Sequence, residues 1–222
     1  MSTSGKRNPL AVTTDIVIFT IVDGALNVLL IERAHDPFKG RWALPGGFLE
    51  LDESIDTCAR RELAEETGVT DVYLEQLYTF GAVERDPRGR VVTVAYFALV
   101  PEGNVDVRAA SDAKAAGWHP LGGLPGLAFD HADIVALAHE RLIAKLGYST
   151  IAFQLMPPEF TLSQLQNVYE IIRGAPLDKR NFRKSVMALN VLEETGERRA
   201  EGAHRPAKLY RVAEPGTVKI VR

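Results

Sequence analysis

The apolar positions of this chain change period several times, and each change marks an element. Thr13 to Val22 and Ala25 to Glu32 are β-branched and aliphatic runs separated by Asp23-Gly24, a dipeptide that favours a tight hairpin turn because both positions tolerate positive φ. A second pair of runs, Leu77 to Glu84 and Arg90 to Val100, flanks the turn cluster Asp86-Pro87-Arg88-Gly89. Ala115 to His119 predicts one more short strand. Between the two pairs the period lengthens. Ser54 to Thr67 is rich in Ala, Leu, Glu and Arg, lacks Gly and Pro, and repeats Ile55, Ala59 and Leu63 every four residues. It predicts a helix with one apolar stripe, capped by Asp52 or Ser54 in front and by Gly68 behind. Asp130 to Lys145 repeats apolar residues at the same spacing, with Asp130 as its N-cap. Strands alternating with helices predict a mixed α/β/α sandwich.

Near residue 147 the character of the chain changes. Thr161-Leu162-Ser163-Gln164 matches a capping box, and Leu162, Leu165, Val168, Tyr169 and Ile172 follow at helical spacing until Gly174 and Pro176. A second helix begins near Asp178, with Phe182, Val186 and Leu189 apolar and Lys179, Arg180, Asn181, Arg183 and Lys184 outside or at the margins. Val191 to Thr195, a Gly/Arg-rich loop and Lys208 to Val212 then read as two strands and a wing. Two helices across a short turn, the second basic at its start, match a helix-turn-helix with a recognition helix. The chain therefore divides into residues 1–149 and 150–222.

Charge follows the same division. Residues 1–149 carry 14 Lys and Arg against 21 Asp and Glu, and residues 150–222 carry 12 against 8. An acidic first part suits metal binding, and a basic second part suits a polyanion such as DNA. At 222 residues, 46% of them hydrophobic, the chain can bury a substantial core in one or two domains. Cys58 is the single cysteine, which excludes an intramolecular disulfide, and its place inside a helix predicts a quiet thiol. No apolar run approaches the length of a membrane span, and the opening MSTSGKRNP lacks the apolar core of a signal peptide. A cytoplasmic protein that keeps clear of membranes is expected.

The most specific signal lies between Gly47 and Val69. Gly47, Glu53, Arg61-Glu62, Leu63, Glu65-Glu66, Gly68 and Val69 stand at spacings that chance would produce on the order of once per billion starting points. On a helix Glu62, Glu65 and Glu66 occupy one arc, where three carboxylates repel unless a cation sits between them. Hard oxygen donors with room for water suit Mg²⁺ or Mn²⁺ together with substrate phosphates. Arg61 can reach back to Glu53 and hold a carboxylate in place. Gly46-Gly47 supplies a tight turn, and a glycine can bring its carbonyl close to a metal. Such a site suits in-line attack of water on a diphosphate, with Glu65 or a loop acid such as Glu84 as base.

The segment resembles a complete Nudix box, the signature of hydrolases that split nucleoside diphosphates linked to another moiety. The resemblance implies that Glu62, Glu65 and Glu66 bind divalent metal, that Glu53 orients Arg61, and that Gly47 lends its carbonyl. Farther along, FTLSQLQNVYE, LDKRNFRK and HRPAKLYRV resemble the C-terminal half of the Nudix-related transcriptional regulators, whose best-known branch controls NAD metabolism. That likeness spans about Ala11 to Val212. It implies a homodimer that binds palindromic double-stranded operator DNA through a winged helix and responds to ADP-ribose or a related nucleotide. Lys179, Arg180, Asn181, Arg183 and Lys184 are then recognition-helix contacts, with Arg198, Arg199 and Arg205 as wing contacts. Phe38, Lys39, Arg41, Trp42, Arg85 and Arg88 are the expected ligand contacts. Pure regulators of this kind often carry eroded boxes, whereas this box is intact, so Mg²⁺-dependent hydrolysis of ADP-ribose is expected as well. Two alternatives stay open: a hydrolase of ADP-ribose pyrophosphatase type whose tail only dimerises, and a regulator of a sugar such as arabinose, which would not need the acidic box.

Overall fold

The computed structural model describes residues 10–68, 72–101, 113–200 and 206–221, with the side chains of residues 66, 67, 113 and 114 outside that description. Two strands, β1 (Ala11–Val22) and β2 (Ala25–Arg33), form a hairpin around Asp23-Gly24, both at positive φ. The short strands β3 (Trp42–Ala43) and β4 (Gly46–Phe48) follow, then the helix α1 (Ile55–Thr67). Next come β5 (Tyr73–Phe80), β6 (Val91–Leu99), β7 (Ala113–Pro120) and the helix α2 (His131–Leu146). The strands make one mixed sheet in the order β3-β2-β1-β6-β5, with β4 on β1 and β7 on β2.

The period of two along β1 sends its apolar residues to both faces, and both faces are covered. Ile16 and Ile18 join Leu29, Val94, Tyr96 and Ala98 beneath Ala59 and Leu63 of α1. Val17, Phe19 and Ile21 join Val28, Leu30, Phe97 and Leu99 beneath Ile134, Val135, Ala138 and Leu142 of α2. Phe97 is wholly buried in this second layer, so its truncation to Ala would cost about 3–5 kcal/mol.

One strand feature creates the cleft. One edge of β1 runs parallel to β6 without interruption from Ala11 opposite Val91 to Phe19 opposite Leu99. On its other edge β1 changes partner, pairing Thr13–Asp15 with β4 and Phe19–Val22 with β2. The wedge between β4 and β2 holds Asp15, Gly46 and Gly47 beside the start of a deep depression.

The second half is built as its pattern predicts. After a short 3-10 turn (Ile151–Leu155), α3 (Leu162–Arg173) opens with the full capping box: Thr161 accepts from Gln164 N at 3.1 Å, and Gln164 accepts from Thr161 N at 2.8 Å. Gly174 closes it in the left-handed region. Asp178 then caps α4 (Lys179–Ala188), which packs on α3 through Tyr169 and Phe182, their rings 5.2 Å apart. A hairpin of β8 (Leu192–Arg199) and β9 (Ala207–Val212) completes a winged helix, tied to the start of α3 by paired bonds between Phe160 and Tyr210.

Three expectations about elements need correction. The strand expected over Leu77 to Glu84 runs from Tyr73 to Phe80 instead, because Arg85 turns inward to buried carboxylates and the preceding residues form its turn. Asp130 occupies the N-cap position of α2 but makes no cap bond, since Arg85 takes its carboxylate. The strand expected to stop at Thr195 continues to Arg199, which puts Arg198 and Arg199 on β8 rather than in a loop. Arg205 and Val69 lie outside the described residues.

Candidate active site and nucleic-acid interface

α1 begins where Ser54 accepts a bond from Thr57 N and ends at Gly68 with φ of 69°. Its buried stripe fixes the rotation of the helix, and this turns Arg61 and Glu62 toward Gly46-Gly47. Gly46 has a φ of 152° and lies against β1 so tightly that a Cβ would stand 2.1 Å from the Thr14 carbonyl oxygen. Gly47 has ordinary φ but equally little room. A Cβ there would sit 2.0 Å from Glu62 Oε1. Glycine at 47 therefore lets a buried carboxylate lie directly on the backbone.

Arg61 organises the carboxylates. Its Nε and NH2 groups donate to the two oxygens of Glu53 at 3.1 and 2.8 Å, a fork that the planar guanidinium fits. Its NH1 donates to Glu62 at 2.7 Å and to Glu65 at 3.4 Å. The Glu53 carboxyl is held down at about 2, first by its Arg61 bonds and then by the backbone bond from Glu50. The same bond to Glu53 raises the pKa of Arg61. Glu62 goes the other way: burial raises its pKa, against the hydrogen bond from Arg61. Glu65 remains more than half exposed. Cys58 lies beneath, fully buried, its thiol pushed up to about 11 by burial.

Gly46, Gly47, Arg61, Glu62 and Glu65 form one wall of a cleft of about 510 Å³. Arg33, Arg85, Arg88, Phe129 and His131 form the opposite wall. Arg88 binds Asp86 at 2.6 Å and holds its guanidinium between the rings of Phe48 and Phe129, at 5.2 and 5.6 Å, while Arg33 covers Phe129 at 4.9 Å. Arg85, almost fully buried, binds Asp130 through Nε and NH2 at 2.9 and 2.6 Å and Asp15 at 3.3 Å. His131 accepts from Leu44 N at 2.8 Å through Nδ1, and burial lowers its pKa against the charges of Asp15 and Asp130. One wall is acidic and the other combines guanidinium groups with aromatic faces, a pairing suited to a cation-bound diphosphate carrying a base.

The expected ligand residues separate in space. Arg85 and Arg88 line the cleft, whereas Phe38, Lys39, Arg41 and Trp42 do not. Phe38 packs edge-on against Phe129 at 4.8 Å and carries Arg41 over its ring, Lys39 is exposed, and Trp42 meets His119 at 4.4 Å. Sequence reasoning missed Asp15, Arg33, Asp86, Phe129 and His131. Only Asp15, the one charged residue of β1, carried a signal. Glu84 is exposed and does not line the cleft, while Glu65 does.

The donor set fits a divalent cation. Among the described residues no three acidic, His or Cys side chains converge on one point. Mg²⁺ needs no such cage, because it keeps waters and takes one or two carboxylates plus phosphate oxygens. Glu62 and Glu65 already share one Arg61 nitrogen, and the buried Glu62 carboxylate is the kind of charge a cation relieves. The Glu66 side chain lies outside the described residues.

On the second half, Lys179, Arg180, Asn181, Arg183 and Lys184 are all exposed along the first turns of α4, with Phe182 and Val186 buried behind them. Arg183 donates through NH2 to Ser163 Oγ of α3 at 3.3 Å. Arg198 and Arg199 are exposed on β8. Lys208 and Arg211, by contrast, are paired with Glu194 and Glu193.

Comparison with known proteins places both halves. Residues 11–138 match the NUDIX domain, and residues 152–212 match the NrtR DNA-binding winged helix domain. The chain is 43% identical over 214 residues to the ADPR responsive transcriptional repressor NtrR of Acinetobacter baylyi, covering 95% of this chain and 84% of that protein. Shewanella oneidensis NrtR complexed with a 27mer DNA superposes with a TM-score of 0.82 at 41% identity, over 90% of this chain and 93% of that one. The Nudix domain of the same protein, solved with ADP ribose, superposes with a TM-score of 0.56 at 40% identity, over 64% and 94%. An ADP-ribose pyrophosphatase of Methanocaldococcus jannaschii is 37% identical over 130 residues, 59% of this chain and 76% of that protein.

Proposed function

The chain belongs to the NrtR family of transcriptional repressors with a Nudix domain, and from that membership we propose that it represses transcription in response to ADP-ribose. Residues 1–149 form the sensing part and bind ADP-ribose or a related nucleoside diphosphate derivative in the cleft. Residues 150–222 form the DNA-binding part. It works as a homodimer in the cytoplasm, so that two copies of α4 meet half-sites of a palindromic operator. Lys179, Arg180, Asn181, Arg183 and Lys184 face the major groove, and Arg198, Arg199 and Arg205 serve the wing. Some of these touch only phosphate and add affinity without sequence choice.

The Nudix part also hydrolyses its ligand. The observation that carries this is the contact of Gly47 with a buried Glu62 that Arg61 and Glu53 hold in place. Glu62, Glu65 and Glu66, with the Gly47 carbonyl, would hold Mg²⁺ or Mn²⁺. When bound, such an ion neutralises charge on the diphosphate and acidifies a water. Glu53 locks the Arg61 fork, and Arg61 keeps the Glu62 and Glu65 carboxylates from springing apart. Glu65, open to solvent, is placed to take a proton and release it to bulk water. Arg88 offers its guanidinium to phosphate while Phe48 and Phe129 offer faces to a base.

Purified protein incubated with ADP-ribose and Mg²⁺ should yield AMP and ribose phosphate by ion-exchange chromatography, with loss in Glu66→Gln. Absence of product across a panel of nucleoside diphosphate derivatives would remove the enzymatic half and leave the sensing half standing. Binding of ADP-ribose that leaves DNA affinity unchanged would remove the sensing half.

A further inference from the structure

Arg85 belongs at once to the cleft and to the root of α2. Its side chain is 3% exposed, yet it lines the depression in which the proposed ligand sits. Its NH2 group is divided between Asp15 Oδ2 at 3.3 Å and Asp130 Oδ1 at 2.6 Å, and its Nε donates to Asp130 Oδ2 at 2.9 Å. Asp130 is the N-cap residue of α2, and this hold leaves it with no side-chain bond to the helix it precedes. The carboxylate therefore has two competing partners: the guanidinium it now grips, and the Ala132 amide at the second position of α2, one of those a capping Asp ordinarily serves, while the His131, Asp133 and Ile134 amides already reach the Ala128 and Asp130 carbonyls.

The far end of α2 is packed against α3. His139 Nε2 lies 3.1 Å from the Ile172 carbonyl oxygen of α3, and Leu142 and Leu146 share one apolar cluster with Leu165 and Ile172. Beyond Gly147 the chain enters the winged helix through Ser149 and Thr150, both buried. Residues 219–221 clasp this connector: Thr150 N donates to the Lys219 carbonyl at 3.0 Å, Lys219 N donates to Thr150 Oγ1 at 2.9 Å, and Val221 N donates to the Tyr148 carbonyl at 2.7 Å. These contacts join the far end of α2 directly to α3 and to the connector.

We propose that Arg85 is a positioning residue that reports occupancy of the cleft to the winged helix: an anionic ligand draws on its guanidinium, Asp130 is released to cap α2, and α2 carries the change to α3. The inference rests on the reading of the cleft as an ADP-ribose site. Asp130 stands outside the cleft lining and meets the ligand site only through Arg85. The test uses the full-length chain, ADP-ribose, and a fluorescent duplex selected by the wild-type protein from random-sequence DNA. In the wild type ADP-ribose should change DNA affinity by about tenfold or more, and in Asp130→Asn by less than about twofold, although calorimetry shows ADP-ribose still bound. Hydrogen exchange in the wild type alone should show altered protection of residues 131–134 on adding ADP-ribose, which reads the relay even if the variant does not fold. A full response in Asp130→Asn, or unchanged protection of that turn in a responsive wild type, overturns the relay alone. A wild type that binds ADP-ribose without any change in DNA affinity overturns the relay and the sensing reading together.

Discussion

Replacing Gly47 with Ala tests the geometry of the acidic wall at one atom. The added Cβ would lie 2.0 Å from Glu62 Oε1, 2.6 Å from Cδ and 2.9 Å from Oε2, so the whole carboxylate must retreat. Ordinary contact distances put that retreat at more than about 1 Å. The 2.7 Å bond from Arg61 then breaks and a carboxylate only 10% exposed loses its partner, at a cost of about 1–3 kcal/mol. Against this, Ala at an unstrained backbone position contributes about 0.4–1 kcal/mol by restricting the unfolded chain. The net loss of stability is small, while the loss of function is not: a displacement of about 1 Å costs about 100-fold in rate. Calorimetric titration with Mn²⁺, the rate of ADP-ribose hydrolysis and the thermal midpoint should be measured together. Gly122→Ala is the control, since its Cβ meets nothing within 4 Å, and it should behave as wild type. A Gly47→Ala variant that binds Mn²⁺ and turns over at wild-type levels would show that Glu62 does not hold metal against Gly47.

Three further outcomes follow from individual groups. Cys58 is buried with its thiol raised to about 11, so iodoacetamide at pH 8 should leave it unmodified in the folded protein and label it in urea; fast labelling of the native chain contradicts that burial. His131 is held neutral by burial, so below about pH 6.5 the unfolded chain binds a proton that the folded one resists; stability is full above that pH and falls below it. The urea midpoint should drop between pH 7.5 and 5.5, and His131→Gln, which can still accept from Leu44 N, should flatten the drop; an equal drop in that variant removes the assignment to His131. On α4, Lys184→Ala should weaken DNA binding across all sequences and lower the salt slope by about 1, whereas Arg211→Ala, ion-paired on β9, should leave the slope alone; equal effects would count against α4 as the phosphate-facing element.

Local chemistry explains what could be read from the chain before its fold. The helix from Ser54 to Gly68 and the capping box at Thr161 are written in neighbouring residues, so cap, stripe and terminator agree in sequence and in space. The Arg61–Glu53 fork was legible for the same reason, its partners standing eight residues apart on one loop and helix. The opposite wall of the cleft was not. Arg33 of β2 meets Phe129 of the turn before α2, far away in sequence, and Asp15, Arg85, Asp130 and His131 come from β1, a turn and the start of α2. Nothing in the residues around Asp130 reveals that Arg85 claims its carboxylate, so the expectation of a simple cap failed there. Trp42 and Phe38 looked like ligand contacts because they are aromatic and precede the box, yet their rings are engaged by His119 and Phe129.

The most direct test of the account is a fluorescence anisotropy titration of the full-length protein on its selected duplex, at several salt concentrations, with and without ADP-ribose. A basic α4 that binds DNA, together with the proposed sensing of ADP-ribose in the cleft, predicts affinity that falls linearly with the logarithm of salt and shifts on adding ADP-ribose. DNA binding that is absent at low salt, or present but indifferent to ADP-ribose, would contradict it.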